Sequence, residues 1–194
     1  MKIVVIKYIA GNIKSVEFAL NRLGIEPSIT DNPEQISSAD KVIFPGVGEA
    51  GSTMCYLREK KLDVLIKNLK QPVLGICLGM QLMCTSSEEG KTSCLGIFDT
   101  RVKRFSDTQL KIPHMGWNNV FSLQSKLFSN ISENDYMYFV HSYYAEMCDY
   151  AIASCEYSLP FAAALHKDNF YGTQFHPEKS GKNGEIIIKN FLDL

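Results

Sequence analysis

One cysteine stands in a sequence pattern that suits a nucleophile. Cys77 lies in Gly75-Ile76-Cys77-Leu78-Gly79, a G-x-C-x-G pattern between a predicted strand and a predicted helix. Flanking glycines permit a tight turn that exposes the central side chain at the C-terminal edge of a sheet. The N-terminus of the following helix favours the thiolate over the thiol. A cysteine that only fills a core does not require those glycines. We therefore predict that Cys77 is a nucleophile on a strand-to-helix elbow.

A histidine near the end of the chain supplies a base for that nucleophile. His176-Pro177-Glu178 offers an imidazole with a carboxylate two residues away, and a thiol nucleophile needs a base held by a third group. In an extended backbone, residues i and i+2 point to the same side, so Glu178 is predicted to approach the His176 ring. The sequence thus predicts a Cys-His-Glu triad. The remaining histidines are interpreted as structural residues: His114, His141 and His166.

A glycine-rich segment follows the third predicted strand. Gly46-Val47-Gly48-Glu49-Ala50-Gly51 matches G-x-G-x-x-G, a pattern that binds dinucleotide phosphates when it follows the first strand of a βαβ unit. Its position after the third strand weakens that interpretation. Two alternatives stay open: a simple glycine turn, or a loop whose backbone N–H groups face a negative group.

Strands that alternate with helices must position these residues. Continuous apolar runs, as in Ile3–Ile6 and Val73–Ile76, are typical of buried parallel strands. The first half therefore indicates a parallel sheet, and shorter strand-like runs beyond Leu95 indicate a mixed second half. We predict one α/β domain over residues 1–194, with a central, mostly parallel mixed sheet flanked by helices. The predicted strands are 3–6, 28–30, 41–44, 73–76, 101–105, 138–144, 151–157, 161–166 and 171–175, with helices at 16–23, at 64–69, from Cys77 to near Gly90 and at 185–192, and a hairpin turn at 167–169.

Composition excludes several classes of protein. The 194 residues carry 20 Lys and Arg against 21 Asp and Glu, and 45% are hydrophobic. This balance indicates a globular protein without a net field toward nucleic acid or an anionic membrane. The six cysteines form no C-x-x-C pair and have no histidine at zinc spacing, so we expect reduced thiols and no metal. No signal peptide or membrane span is expected, and a cytoplasmic location is predicted.

Three motifs together carry a resemblance to a known family. Gly75-Ile76-Cys77-Leu78-Gly79-Met80-Gln81, Pro45-Gly46-Val47-Gly48 and Gln174-Phe175-His176-Pro177-Glu178 resemble the class I (triad) glutamine amidotransferases. The strings at 113–118, 138–143 and 176–180 are similar to one branch, the glutaminase subunits of imidazole glycerol phosphate synthase. The segment 7–12 departs from the opening usual in that branch. The resemblance covers essentially the whole chain and implies the fold of that family.

The resemblance also implies a reaction and the residues that perform it. The Cys77 thiolate would attack the side-chain amide of glutamine, His176 would protonate the departing ammonia, and water would hydrolyse the thioester. Backbone groups would form the oxyanion hole: Gly46, Val47, Gly48 and Leu78. The implied glutamine-binding residues are Gln81, Glu89, Ser142 and Tyr143.

A partner subunit is implied as well, with no cofactor. Free ammonia becomes ammonium in neutral water, so direct delivery to a second active site preserves its nucleophilicity. The resemblance supplies a (β/α)8-barrel cyclase as that partner, facing Asn12, Trp117, Tyr138 and Lys179. Alternatives are a core aromatic role for Trp117 and a helix N-cap for Asn12. The rival functions are another triad glutaminase, a non-catalytic binding module of the same fold and a Rossmann oxidoreductase.

Overall fold

The computed structural model describes residues 1–8, 13–46, 48–106 and 110–194. Two predicted site residues, Asn12 and Val47, lie outside this part of the chain. The helices are α1 Ile13–Arg22, α2 Pro33–Ser37, α3 Ala50–Glu59, α4 Leu62–Asn68, α5 Leu78–Met83 and α6 Gly181–Leu192. The strands are β1 Ile3–Ile6, β2 Ser28–Thr30, β3 Lys41–Phe44, β4 Val73–Ile76, β5 Ser86–Ser87, β6 Thr92–Ser93, β7 Arg101–Arg104, β8 His114–Asn119, β9 Tyr136–His141, β10 Tyr143–Ala145, β11 Ala151–Tyr157, β12 Leu159–Lys167 and β13 Phe170–Thr173.

A seven-stranded sheet organises the fold in the order β11-β12-β13-β4-β3-β1-β2. The five strands from β13 to β2 run parallel, whereas β12 and β11 pair antiparallel at one side. The predicted mixed, mostly parallel α/β sheet is therefore confirmed. The first four strands begin and end where the apolar runs predict. The hairpin turn is also confirmed, since Asp168 adopts the left-handed conformation between β12 and β13.

Helices cover both faces of this sheet, which explains the unbroken apolar runs. In β1, Ile3 and Val5 pack into one hydrophobic cluster with α1 and α6, whereas Val4 and Ile6 pack into a second cluster with α3, α4 and α5. All four β1 side chains are buried. A strand buried on both faces needs apolar residues at every position, and this burial supplies most of the stabilisation of the sheet.

The helix predicted from Cys77 to near Gly90 is wrong in its C-terminal half, because α5 ends at Met83. The next residues are poor helix formers, and they pair as strands instead. Thr85 bonds to Thr100 through both its N–H and its hydroxyl, and β5 then joins a second sheet of order β10-β7-β5-β6. A 3-10 turn, Glu89–Lys91, follows. This early end of the helix brings Glu89 to the elbow.

Several further elements differ from prediction, among them the following three. The strand predicted at 138–144 is two strands that separate at Ser142, because β9 pairs with β8 while β10 pairs with β7. The terminal helix begins at Gly181, four residues before the predicted start. Strand β8 was not predicted, since its sequence interrupts the apolar pattern with Gly116 and two asparagines. Among the described residues, no helix has the length and apolar character to cross a membrane.

Candidate active site

Cys77 occupies the turn between β4 and α5 in a strained backbone conformation. Its φ of 49° and ψ of −106° lie outside the regions that L-residues favour. Neighbouring glycines make the turn sterically feasible. A Cβ on Gly79 would lie 2.1 Å from the carbonyl oxygen of Phe44, and one on Gly75 would lie 2.4 Å from Met83 Cε. The predicted elbow is therefore present, and close packing explains both glycines.

The glycine loop rests directly on this elbow. A Cβ on Gly46 would lie 1.6 Å from the Ile76 carbonyl oxygen and 2.4 Å from the Leu78 nitrogen. Only glycine permits that approach. Gly48 has a φ of 125°, which also favours glycine. The described part of the loop thus lies beside the first N–H groups of α5, which have no intrahelical acceptors.

The N-terminus of α3 excludes the dinucleotide interpretation of this segment. Carboxylate oxygens of Glu49 accept hydrogen bonds from Gly51 N at 2.8 Å and Ser52 N at 2.7 Å. Glu89 Oε2 accepts a third from Ala50 N at 2.8 Å. A phosphate would have to displace two carboxylates from the N–H groups it needs. The helix is already capped by anionic side chains.

His176 and Glu178 form a buried pair. His176 Nδ1 lies 2.8 Å from Glu178 Oε1, and both side chains are almost wholly shielded from solvent. The extended backbone predicted through Glu178 is wrong, because Pro177–Lys179 form a 3-10 turn. Proline at the first helical position sets this turn, which folds the carboxylate back onto the ring. The predicted contact is therefore present with a different local geometry.

Electrostatics at this pair favour a charged imidazole. Burial lowers the pKa of His176, but the negative charge of Cys77, a hydrogen bond with Cys77 and the Glu178 carboxylate outweigh burial and raise this pKa to about 10. A charged imidazole beside Cys77 stabilises the thiolate, which is the attacking form of a cysteine nucleophile. The second oxygen of Glu178, Oε2, is buried and has no hydrogen-bond partner among the residues that the structure describes.

A pocket of about 350 Å³ opens over Cys77. Its volume lies at the small end of ligand-binding pockets and suits a molecule of amino-acid size. Its wall brings together residues that are up to 130 positions apart in the sequence. The lining residues are Gly46, Gly48, Cys77, Leu78, Gln81, Glu89, Pro113, Val140, His141, Ser142, Tyr143 and His176. This set contains every described residue predicted for the oxyanion hole and for glutamine binding, with Glu178 behind His176.

Comparison with known proteins decides the family. The model of the family "Glutamine amidotransferase class-I" matches residues 4–194. The chain belongs to this family. It is also 61% identical to "Imidazole glycerol phosphate synthase subunit HisH" of Bacteroides thetaiotaomicron, with all of both chains covered, and 47% identical to the HisH of Pasteurella multocida, covering 98% of this chain and 97% of that relative. This amidotransferase therefore belongs to the HisH group of the family, and it is an enzyme.

Solved structures agree on the fold. The crystal structure of a glutamine amidotransferase superimposes with a TM-score of 0.76 at 16% identity, covering 98% of this chain and 97% of that chain. PurLQS from Thermotoga maritima gives a TM-score of 0.70 at 17% identity, covering 99% and 97%. The class I glutamine amidotransferase fold predicted from the motifs is confirmed.

Gln81 and Gln174 join the amidotransferase pocket to the nucleophile. Gln81 Nε2 donates hydrogen bonds to the Tyr143 carbonyl oxygen at 2.8 Å and to Gln174 Oε1 at 2.9 Å. Gln174 Nε2 in turn donates to Cys77 Sγ at 3.5 Å. Gln174 lies in one of the motifs that resemble the family, but sequence reasoning gives it no role. The position of Gln174 directly after a buried strand is a weak sequence signal that this residue lies near the site.

His114 and His141 are buried and hydrogen-bonded to each other, and His141 also lines the pocket. Both are buried, and His114 stacks on Tyr157 at 4.0 Å between ring centroids. His141 Nδ1 donates to the Tyr143 carbonyl oxygen at 2.7 Å, so its Nε2 accepts from His114 Nδ1 at 3.0 Å. His114 Nε2 then accepts from Asn118 at 3.3 Å. Both rings are neutral in this chain of hydrogen bonds.

These two histidines predict acid sensitivity of the fold. Burial lowers the pKa of His114 to about 4 and that of His141 to about 3, against about 6.5 unfolded. Between pH 4 and pH 6.5 the unfolded chain binds more protons than the folded chain. The free energy of unfolding is therefore highest well above pH 6.5 and decreases as the pH drops toward 4. We expect the unfolding free energy to fall by on the order of 3 kcal/mol between pH 6.5 and pH 5 from this pair. Urea titrations at both pH values measure it.

The His114→Phe variant removes the contribution of His114 to this pH dependence, because phenylalanine preserves the stack on Tyr157 and cannot bind a proton. Its unfolding free energy should fall less over the same pH interval. His166→Gln is the matched control, since His166 is only half-buried, and it should retain the wild-type pH dependence. A His114→Phe variant with the full wild-type loss would contradict the assignment.

Three residues predicted to face a partner, Trp117, Tyr138 and Lys179, lie near one another, whereas Asn12 lies outside the described residues. Trp117 is 54% exposed, which excludes the core alternative, and its ring lies edge-on to Tyr138 at 5.9 Å between centroids. Lys179 is exposed in the 3-10 turn that carries Glu178. Two further exposed side chains on the same hairpin were missed: Met115 and Tyr136. Alternating positions in β8 and β9 place these large side chains outward.

The remaining cysteines lack the surroundings of a nucleophile. All six cysteines are free thiols. Burial raises the pKa of Cys94 to about 11 and that of Cys155 to about 12, and it raises those of Cys84 and Cys148 as well. Cys55 is exposed on α3. High pKa values keep the four thiols protonated and unreactive.

Proposed function

We propose that this amidotransferase is the glutaminase subunit of an imidazole glycerol phosphate synthase of histidine biosynthesis. It hydrolyses glutamine and passes ammonia to a (β/α)8-barrel cyclase that forms imidazole glycerol phosphate and AICAR. Residues 1–194 act as one glutamine amidotransferase domain in the cytoplasm. The observation that carries the proposal is the buried His176–Glu178 pair beside Cys77 at the wall of one small pocket, in a chain 61% identical to a HisH protein.

The reaction begins with the thiolate of Cys77. It attacks the side-chain carbonyl carbon of glutamine and forms a C–S bond, while the carbonyl electron pair moves to oxygen. Collapse of this intermediate breaks the C–N bond, and the imidazolium of His176 gives its proton to the departing ammonia. The neutral imidazole then takes a proton from water, whose oxygen attacks the thioester. Glutamate leaves and the thiolate returns. Glu178 holds the tautomer throughout.

Backbone N–H groups stabilise each oxyanion. Leu78 is the first residue of α5, so its N–H has no acceptor within the helix and lies at the positive helix end. The second donor comes from the Gly46-Val47-Gly48 loop, of which Gly46 packs against the elbow. Each preorganised donor contributes about 10²- to 10³-fold in rate.

The polar rim of the pocket binds the glutamine backbone. Glu89 keeps one carboxylate oxygen on Ala50 N, and its charge attracts the α-ammonium of glutamine. Ser142 and Tyr143 line the same pocket, where β9 and β10 separate. Gln81 also lines it, with its NH₂ group engaged by protein acceptors. The pocket thus orients the side-chain amide toward Cys77.

Docking of the cyclase is coupled to the triad by short connections. Trp117 is an exposed aromatic anchor of the kind enriched at interface hot spots. The Tyr138 carbonyl oxygen accepts from His176 N at 2.9 Å. Lys179 directly follows Glu178. A partner that holds these three residues therefore acts on the backbone that carries His176 and Glu178, and we propose Asn12 as a further contact of the same partner.

Activity of the separate and joined subunits tests this function. A glycine-flanked peptide rotates at low steric cost, so we expect the lone chain to lack one oxyanion donor. Adding the cyclase should raise kcat for glutamate release by about 10²-fold or more, and cyclase ligand should raise it further. KM should change less, since glutamine already binds the resting pocket.

Controls separate docking from chemistry. Trp117→Ala should weaken activation by the cyclase while leaving the basal rate of the lone chain unchanged. Val64→Ala, an equally exposed apolar position on α4, should leave activation intact. Full activity of the lone chain, unchanged by cyclase and ligand, would contradict gating, and an absence of glutamate release in every state would contradict the glutaminase function.

A further inference from the structure

We propose that Gln174 is a further catalytic residue, whose side-chain amide donates a hydrogen bond to Cys77 Sγ and stabilises the thiolate. Gln174 Nε2 lies 3.5 Å from Sγ, a distance within the range for a sulfur acceptor. The side chain is fully buried, with no exposed surface. A buried N–H aimed at the reacting atom has a larger effect on a charge than it would have in water. This inference rests on the proposed function of Cys77.

The hydrogen-bond network fixes which end of the Gln174 amide faces the sulfur. The Tyr143 carbonyl oxygen is an acceptor only, so the Gln81 atom 2.8 Å away is its nitrogen. The same Gln81 nitrogen lies 2.9 Å from Gln174, which must present oxygen there. Gln174 therefore turns its NH₂ group toward Cys77.

The same network extends to the buried histidines. His141 donates its Nδ1–H to the Tyr143 carbonyl oxygen at 2.7 Å, and His114 holds the opposite nitrogen of that ring. Tyr143 thus accepts from both Gln81 and His141. His114, His141 and Gln81 are positioning residues in this scheme. Their bonds keep Gln174 from turning its oxygen toward the thiolate, a rotation that would destabilise the negative charge.

The hydrogen bond acts at two points in the reaction. Before attack it stabilises the thiolate against reprotonation by His176. When water cleaves the thioester, the C–S bond breaks and its electron pair returns to sulfur, so the same N–H stabilises the leaving group. The titratable and charged groups around the sulfur are His176 with Glu178, His141 and Glu89. His141 stays neutral, so Gln174 and His176 supply the side-chain stabilisation.

Alkylation of Cys77 by iodoacetamide, followed by mass spectrometry across a pH series, measures the thiolate without glutamine. In Gln174→Leu the apparent pKa of Cys77 should rise by about one unit, which is tenfold in thiolate stability. The acid limb of the kcat/KM profile for glutamine should move by the same amount. Gln174→Glu keeps an acceptor for Gln81 but presents an anion to sulfur, so its shift should be larger while KM changes little.

Thr173→Val is the matched control. Thr173 is the fully buried neighbour of Gln174, and its hydroxyl has no hydrogen-bond partner in the part of the chain that the structure describes, so removing it should leave both pH profiles unchanged. Folding of every variant is checked by urea titration. In the wild-type chain, which carries no folding risk, the Gln174 side-chain amide resonance should also move as Cys77 titrates, and this response should vanish in Cys77→Ser.

The outcomes separate the two proposals. Folded Gln174 variants with a wild-type alkylation profile, or an amide resonance indifferent to Cys77 titration, would overturn the role of Gln174 while leaving the glutaminase function intact. Glutaminase activity that survives Cys77→Ala would overturn the proposed function instead. A raised Cys77 pKa in both Gln174 variants, with an unchanged Thr173→Val control, supports Gln174 as the hydrogen-bond donor to Cys77 Sγ.

Discussion

In the Cys77→Ala variant, kcat for glutamine hydrolysis is expected to fall by about 10⁵-fold or more, since loss of the nucleophile removes the covalent route. The strained φ of 49° and the two packed glycines hold this side chain at the pocket wall. Alanine fits the same turn, so the fold should be unchanged. Glutamate release by the complex with cyclase measures the loss.

Cys84→Ala is the matched control for that loss. Cys84 lies one residue after α5, fully buried, and burial raises the pKa of its thiol well above the usual value. Its replacement should cost some stability through a small cavity but leave most of the activity. A glutamine-like electrophile should label Cys77 in wild type. Labelling of another cysteine, with Cys77 spared, would show that the nucleophile lies elsewhere.

The sequence predicted the elbow well because its signals are local. An apolar run, a G-x-C-x-G turn and a short helix buried on all sides lie between Val73 and Met83, and each signal indicates the backbone conformation of its own segment. The steric need for Gly79 is different: it arises from the Phe44 carbonyl oxygen, on another strand. The G-x-C-x-G pattern indicated that the turn needs Gly79, and the packing against Phe44 explains why.

Errors occurred where pairing between distant segments, which no local pattern reports, decides where an element ends. The helix after Cys77 ends at Met83 because Thr85 pairs with Thr100, a partner that no short window contains. Ser142 interrupts a predicted strand because its two sides join different sheets. The network from His114 to Gln174 was missed for the same reason, since Gln174 meets Gln81 across 93 positions of sequence.

Removal of the base should cost nearly as much as removal of the nucleophile. His176→Ala takes away both the proton that ammonia needs and the positive charge beside the thiolate, so kcat should fall by about 10⁵-fold. Glu178→Ala should lower kcat less, by about 10³- to 10⁴-fold, because the ring remains and only its orientation and charge support are lost. Initial rates of glutamate release, with cyclase present, measure both.

The pair His176–Glu178 is buried, so the two losses should not add. With the base already absent, Glu178 has no ring to orient, and the double variant should be about as slow as His176→Ala alone. Glu185→Ala is a suitable control, since Glu185 is an exposed carboxylate on α6 whose loss should leave kcat unchanged. Wild-type kcat in His176→Ala would exclude the triad, while independent, additive losses would mean that Glu178 acts on something other than the imidazole.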